Sequence, residues 1–233
     1  MLLLVIALVF GLLPGFAWLI FYLSDDPHPE PKRLIVLVFF AGAAFGFFTI
    51  VIEQIFNRTA TGWDIAELSI VSLLVLALIE EVMKFGAAYF AVGKSPILND
   101  PIDRMVYMIV AALGFATLEN IGAISNLPAT LSGTAFISGA LQTDSLRFVG
   151  ATLLHSLTSG IVGYHWALGI ARKKVALNLS MGLVNATILH AVFNYLILTY
   201  GNISYTVLFL LVVGFFVLND FEKLKVRPEV QPT

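Results

Sequence analysis

A succession of apolar runs, each long enough to cross a bilayer and set apart by short polar connectors, constrains this chain more than any other feature. The runs fall at Leu2–Leu23, Leu34–Phe56, Ile65–Val92, Met105–Ile124, Phe148–Ile170, Val175–Tyr200 and Tyr205–Leu218. About 20 apolar helical residues span the hydrocarbon core, and in lipid only helices or closed barrels satisfy the backbone internally. The pattern predicts an all-α, polytopic transmembrane bundle of about seven spans. The chain is 59% hydrophobic and 12% charged over 233 residues, with a mean hydropathy of +0.92; that is the composition of a membrane protein, not of a soluble core. The first run has no basic leader and outlasts a signal-peptide apolar region, so it reads as a retained span. Residues 1–219 read as one integral-membrane domain and 220–233 as a short tail.

The connectors sharpen this picture. SDDPHPEPKR at Ser24–Arg33 and the segment Gly93–Asp103 read as aqueous loops, while Asn126–Thr143 is mild in hydropathy and fits a loop or a re-entrant segment. Lys32 and Arg33, Lys94 and Arg104, Arg172, Lys173 and Lys174, and Lys223, Lys225 and Arg227 fall on alternate connections; Arg58 and Arg147 fall on the others. Cytoplasmic loops carry the basic excess. Seven spans therefore place the N-terminus outside and the C-terminus in the cytoplasm; an eighth or re-entrant segment near Leu131–Ala140 would alter that. Asp100, Asp103 and the ARKK run read as solvated loop charges, Glu53 and His165 as interfacial, and Gly42 with Gly46 as a helix-packing pair. The basic residues form no continuous stripe, so nucleic acid is not an expected partner. There are no cysteines, which excludes disulfides, thiolate catalysis and cysteine-ligated metal sites.

Within the third run, LALIEEVMKF places Glu80, Glu81 and Lys84 among apolar side chains. Each such charge costs roughly 2.5–3.5 kcal/mol at the bilayer centre and marks a functional site by default. Helical spacing lets Lys84 reach either carboxylate, leaving the other free. At about 1.5 Å of rise per residue from the cytoplasmic end, Glu80 and Glu81 lie roughly 17–18 Å deep, and Glu119, His155 and His190 roughly 22 Å deep. Four helices thus bring carboxylates and imidazoles to one level. A buried carboxylate there could take a proton from water, and His155 or His190 could stabilise the oxyanion formed at a peptide carbonyl. Ser159 shares a face with His155, and Asn194 with His190, so each histidine has a neighbour able to orient it.

EEVMK at Glu80–Lys84, FATLEN at Phe115–Asn120, HSLTSG at His155–Gly160 and HAVFN at His190–Asn194 occur in that order. Together they resemble the PrsW family of glutamic-type intramembrane endopeptidases, relatives of the CAAX prenyl endopeptidases and bacteriocin-processing proteins. The resemblance implies a multi-pass protease of the cell membrane making the first, non-cytoplasmic cut in a single-pass anti-sigma factor. It implies that Glu80 and Glu81 hold the attacking water, that Glu119, His155 and His190 complete the catalytic set, and that Lys84 sets its charge; Asn120, Ser159 and Asn194 are expected as supporting residues beside it. The arginine of the CAAX branch, five residues after the first glutamate, is Phe85 here, and the histidine of its second motif is Glu119; CAAX processing is not expected. No cofactor is expected on this reading. Two alternatives remain open: the same five Glu and His residues would also make a Zn²⁺ ligand set, and intramembrane Glu and His chains also serve proton-coupled transporters.

Overall fold

The computed structural model describes residues 2–24, 29–66, 68–128, 131, 133–201 and 203–225. Residues 25–28 of the first connector, 129, 130 and 132 of the Asn126–Thr143 stretch, and the tail beyond Lys225 lie outside these described residues. The described residues form eight α-helices and no strand: α1 Leu2–Ser24, α2 Lys32–Gly62, α3 Ile70–Val92, α4 Pro101–Ser125, α5 Gly133–Arg147, α6 Leu153–Ala171, α7 Val175–Tyr200 and α8 Ile203–Lys225. A five-residue π turn, Phe148–Thr152, joins α5 to α6.

Helix α4 is the hub. From Pro101 to Thr117 every residue but Arg104 is buried, and α4 packs against α1, α2, α3, α5, α6 and α8. A helix apolar all round has to sit in the middle of its bundle. Closest approach is to α2, where the two backbones meet through reciprocal glycines: a Cβ on Gly42 would fall on the Ala111 carbonyl, and one on Gly114 on the Phe39 carbonyl. Small residues permit this contact where no hydrophobic effect drives helices together. Around α4, helices α3, α6 and α7 close a second layer, with α6 against α7 and α3 against both.

Five helices, α1, α2, α4, α7 and α8, are long and apolar enough to cross a membrane by length and composition. Helices α3 and α6 fall outside that set: α3 carries Glu80, Glu81 and Lys84, and α6 is rich in Ser, Thr, Gly and His. Glu81 and Lys84 of α3 and His155, Ser156, Thr158 and Ser159 of α6 are buried in the bundle, so the charged and polar residues that set these two helices apart lie in its interior. Helix α3 starts at Ile70, not Ile65, because the Ser69 side chain accepts the Ser72 N–H at 3.2 Å and caps it. Much of the mild stretch, from Gly133 onward, is helix and not loop; α5 buries Phe136 and Ala140 against Ala7 and Ile124. Asp103 is not a solvated loop charge: it is buried in the first turn of α4 and accepts the Asp100 N–H at 2.8 Å.

Candidate active site

Four helices contribute to one polar cluster. The fully buried Glu81 of α3 takes three hydrogen bonds on Oε1, from Lys84 Nζ at 2.6 Å, Thr158 Oγ1 at 3.0 Å and His190 Nδ1 at 2.8 Å. Lys84, also fully buried, extends its ammonium to His155 Nδ1 at 3.0 Å. The other nitrogen of His155, Nε2, lies 3.0 Å from Glu119 Oε2 on α4. Removing one partner of a buried charge pair leaves an uncompensated charge, so Glu81 and Lys84 are tolerated because each closes the other's requirement.

These contacts assign the ring protons. An ammonium has only protons to offer, so His155 Nδ1 accepts from Lys84, and its own proton sits on Nε2, donated to Glu119. His190 faces the Glu81 carboxylate through Nδ1, which therefore carries the proton and leaves a lone pair on Nε2. That lone pair points at Glu80: His190 Nε2 is 3.7 Å and His155 Nδ1 3.8 Å from Glu80 Oε2. Among the described residues, Glu80 Oε2 has no hydrogen-bond partner. Glu80, His155 and His190 thus each offer a ligand atom within 4.8 Å of the others, with His155 Nδ1 also taken by Lys84. The two imidazole rings meet edge to face with centroids 5.2 Å apart. Glu81 Oε2 is likewise buried without a partner, but the Glu81 side chain is 0% exposed against 12% for Glu80, so Glu80 is the reachable carboxylate.

All five residues singled out as the reacting set, Glu80, Glu81, Glu119, His155 and His190, are brought together. Lys84 joins them as the bridge between Glu81 and His155. Asn120 lies one layer out and donates Nδ2 to Thr152 Oγ1 at 3.1 Å and to the Gly11 carbonyl at 3.4 Å. The expected orienting roles of Ser159 and Asn194 differ in the structure. Ser159 Oγ is buried without a partner, and Asn194, half-buried on α7, takes no part in the bonds just described; His155 is held by Lys84 and Glu119, and His190 by Glu81. Two contributors were not singled out. Thr158 sits inside the HSLTSG motif but one residue off the face drawn through His155 and Ser159. Arg147, read as a connector charge, reaches Glu119 Oε2 with Nη2 at 2.9 Å. Glu53, read as interfacial, is half-buried on α2.

Comparison with known proteins agrees with this geometry. Residues 30–219 match the model of the "PrsW family intramembrane metalloprotease". The chain is 28% identical over 227 residues to Protease PrsW of Geobacillus kaustophilus, covering 95% of this chain and 94% of that protein. It is 27% identical over 221 residues to Protease PrsW of Bacillus subtilis, covering 92% and 94%, and 26% identical over 198 residues to that of Clostridioides difficile, covering 82% and 77%. No solved structure matches. The matched region contains every residue of the Glu and His cluster, and the chain belongs to the PrsW family of intramembrane proteases.

Proposed function

We propose that this protease hydrolyses a peptide bond near the non-cytoplasmic face of a single-pass protein of the cell membrane, an anti-sigma factor being the expected substrate, with water activated between Glu80, His155 and His190. The observation that carries this reading is the meeting of two unshared lone pairs, on Glu80 Oε2 and His190 Nε2, beside the Lys84-bound His155 Nδ1. Water placed there has acceptors for its protons on both sides, which general-base activation needs. Lys84 neutralises Glu81 and fixes His155, so the layer carries its charges without collapsing. Glu119 and Arg147, whose side chains are 28% and 21% exposed, mark the open side of the site. The charge count of the connectors assigns the side that carries Arg147 to the non-cytoplasmic face, with seven spans and the N-terminus outside; the proposed cut on that side follows from that count.

The family description names a metal, and the donor set fits one. One carboxylate and two imidazoles are a known catalytic ligand combination for Zn²⁺. Each imidazole also turns its second nitrogen to a carboxylate, His155 to Glu119 and His190 to Glu81, as metal-ligating histidines do. Glu80, His155 and His190 would hold the ion, which would supply Lewis-acid polarisation of the scissile carbonyl and a more acidic water. One contact favours the metal-free reading: the Lys84 ammonium already occupies His155 Nδ1.

The test compares newly formed peptide termini in membranes of cells expressing wild type or Glu80→Gln, with the purified protein assayed for bound metal. Cuts near the outer face of one or a few single-pass proteins, present only with wild type, support the proposal. Identical termini from two folded, abundant proteins refute it. Stoichiometric zinc, lost together with activity on chelation, decides for the metal-dependent form.

A further inference from the structure

The five-residue π turn at Phe148–Thr152 lies between Arg147 and His155, and both of those residues bind the same oxygen, Glu119 Oε2, at 2.9 and 3.0 Å. In a regular α-helix, at about 100° per residue, side chains eight apart stand about 80° apart around the axis. Side chains so placed do not share one face of the helix. A π turn, bonded i to i+5 in place of i to i+4, holds one extra residue. Arg147 and His155 are therefore placed as if seven apart, the spacing at which two side chains share a face. Arg147 and Thr152, five apart in sequence, are likewise placed as if four apart, and they meet at one residue: Arg147 Nε donates to Asn120 Oδ1, and Asn120 Nδ2 donates to Thr152 Oγ1.

Helix α1 holds the turn in place. Trp18 stacks on Phe148 with ring centroids 5.2 Å apart and donates its indole N–H to the Phe148 carbonyl at 3.0 Å. A π turn strains the helical hydrogen-bond ladder and persists where neighbouring groups take up its backbone. The guanidinium then spans two adjacent acceptors on α4, Glu119 and Asn120, with two different nitrogens of its planar fork.

We propose that Arg147, brought into register by the π turn, is a positioning residue of the proteolytic site: it fixes the Glu119 carboxylate, and Glu119 fixes the ring of His155. The inference rests on the reading of His155 as part of the reaction centre. Arg147 acts through Glu119, so it sets the geometry of the chemical step and not the affinity for the substrate helix.

The experiment measures kcat and KM of purified, detergent-solubilised protein on a substrate found in the termini comparison, for wild type, Glu80→Gln, Arg147→Gln, Arg147→Lys, Glu119→Gln and the double variant Arg147→Gln with Glu119→Gln. The expected result is a fall in kcat of about 10- to 100-fold for Arg147→Gln, the scale on which groups that orient ligating histidines act, with KM unchanged. Arg147→Lys should recover part of the loss, and the double variant should be no slower than Glu119→Gln alone. Moving the charge by one residue, with Leu146→Arg in Arg147→Leu, should act like Arg147→Gln, because Leu146 lies on the exposed side of the helix. If Arg147→Gln does not fold, Arg147→Lys and the moved arginine carry the comparison. Wild-type kcat for Arg147→Gln, full activity with the arginine moved, or losses that multiply in the double variant would overturn the proposal. Its failure is distinguishable from that of the protease reading, because the latter would show as no difference between wild type and Glu80→Gln.

Discussion

At the scale of single residues the account turns on how two glutamates next to each other in sequence receive different tasks. Glu81 gathers Lys84, Thr158 and His190 on one oxygen inside the bundle, while Glu80, one residue back and about 100° around α3, faces the two imidazoles from a partly exposed position. Sequence spacing alone left Lys84 able to pair with either, since three and four residues are both helical neighbours; what decides is that α6 and α7 present Thr158 and His190 to the Glu81 side. Lys84→Met should therefore destabilise the fold by about 3–5 kcal/mol, the cost of an unpaired buried charge. Lys84→Met combined with Glu81→Met should restore much of it, read from unfolding of each protein in detergent. Equal stability of the single variant and wild type would show that the pair is not what makes Glu81 tolerable.

At the scale of helices, the close contact of α2 and α4 sets the frame on which Glu119 stands. Because a Cβ on Gly114 would meet the Phe39 backbone, which cannot swing aside, Gly114→Ala should lower stability by about 1–3 kcal/mol as other overpacked contacts do. Gly122→Ala, on the same helix with nothing within 4 Å of the added methyl, is the control and should be neutral or mildly stabilising. This scale also shows what was legible in the sequence. The reacting residues stood out because charges and histidines are costly in apolar runs, and rise per residue put them at one depth. Arg147 did not stand out: its eight-residue spacing from His155 is off-face in a regular helix, and nothing in FVGAT announces a π turn. In sequence, helix α5 stays open between loop, re-entrant segment and eighth span for a different reason, since its hydropathy is mild and its buried face, Phe136 and Ala140, is narrow. The capping serine at Ser69 was readable in principle, but apolar Ile65 drew the boundary too early.

At the scale of the whole molecule, apolar side chains cover the outside of the bundle and also fill most of its interior, where the Glu, Lys and His cluster is a polar island. Phe40 and Phe47 of α2, Phe90 of α3 and Phe215 of α8 are exposed on the outside, as a lipid-facing surface requires, while α3 turns Glu81 and Lys84 inward. Orientation fixes which aqueous phase reaches Glu119 and Arg147, and the absence of native cysteines makes it directly measurable. In cells expressing Thr61→Cys, at the end of α2, a membrane-impermeant thiol reagent added outside should label the protein. Lys174→Cys, between α6 and α7, should react only once the membrane is opened. The opposite pattern would place the site on the cytoplasmic side and withdraw the proposed cut near the outer face.

The central claim is that the convergence at Glu80 is where water is activated. Purified wild type and Glu80→Gln, matched for folded protein and mixed in detergent with the same single-pass substrate, test it by the appearance of two fragments over time. The account predicts that wild type cuts and that Glu80→Gln, which keeps the shape and loses the charge, is slower by at least about 100-fold, the scale of a lost general base; cutting at the wild-type rate by Glu80→Gln would contradict it.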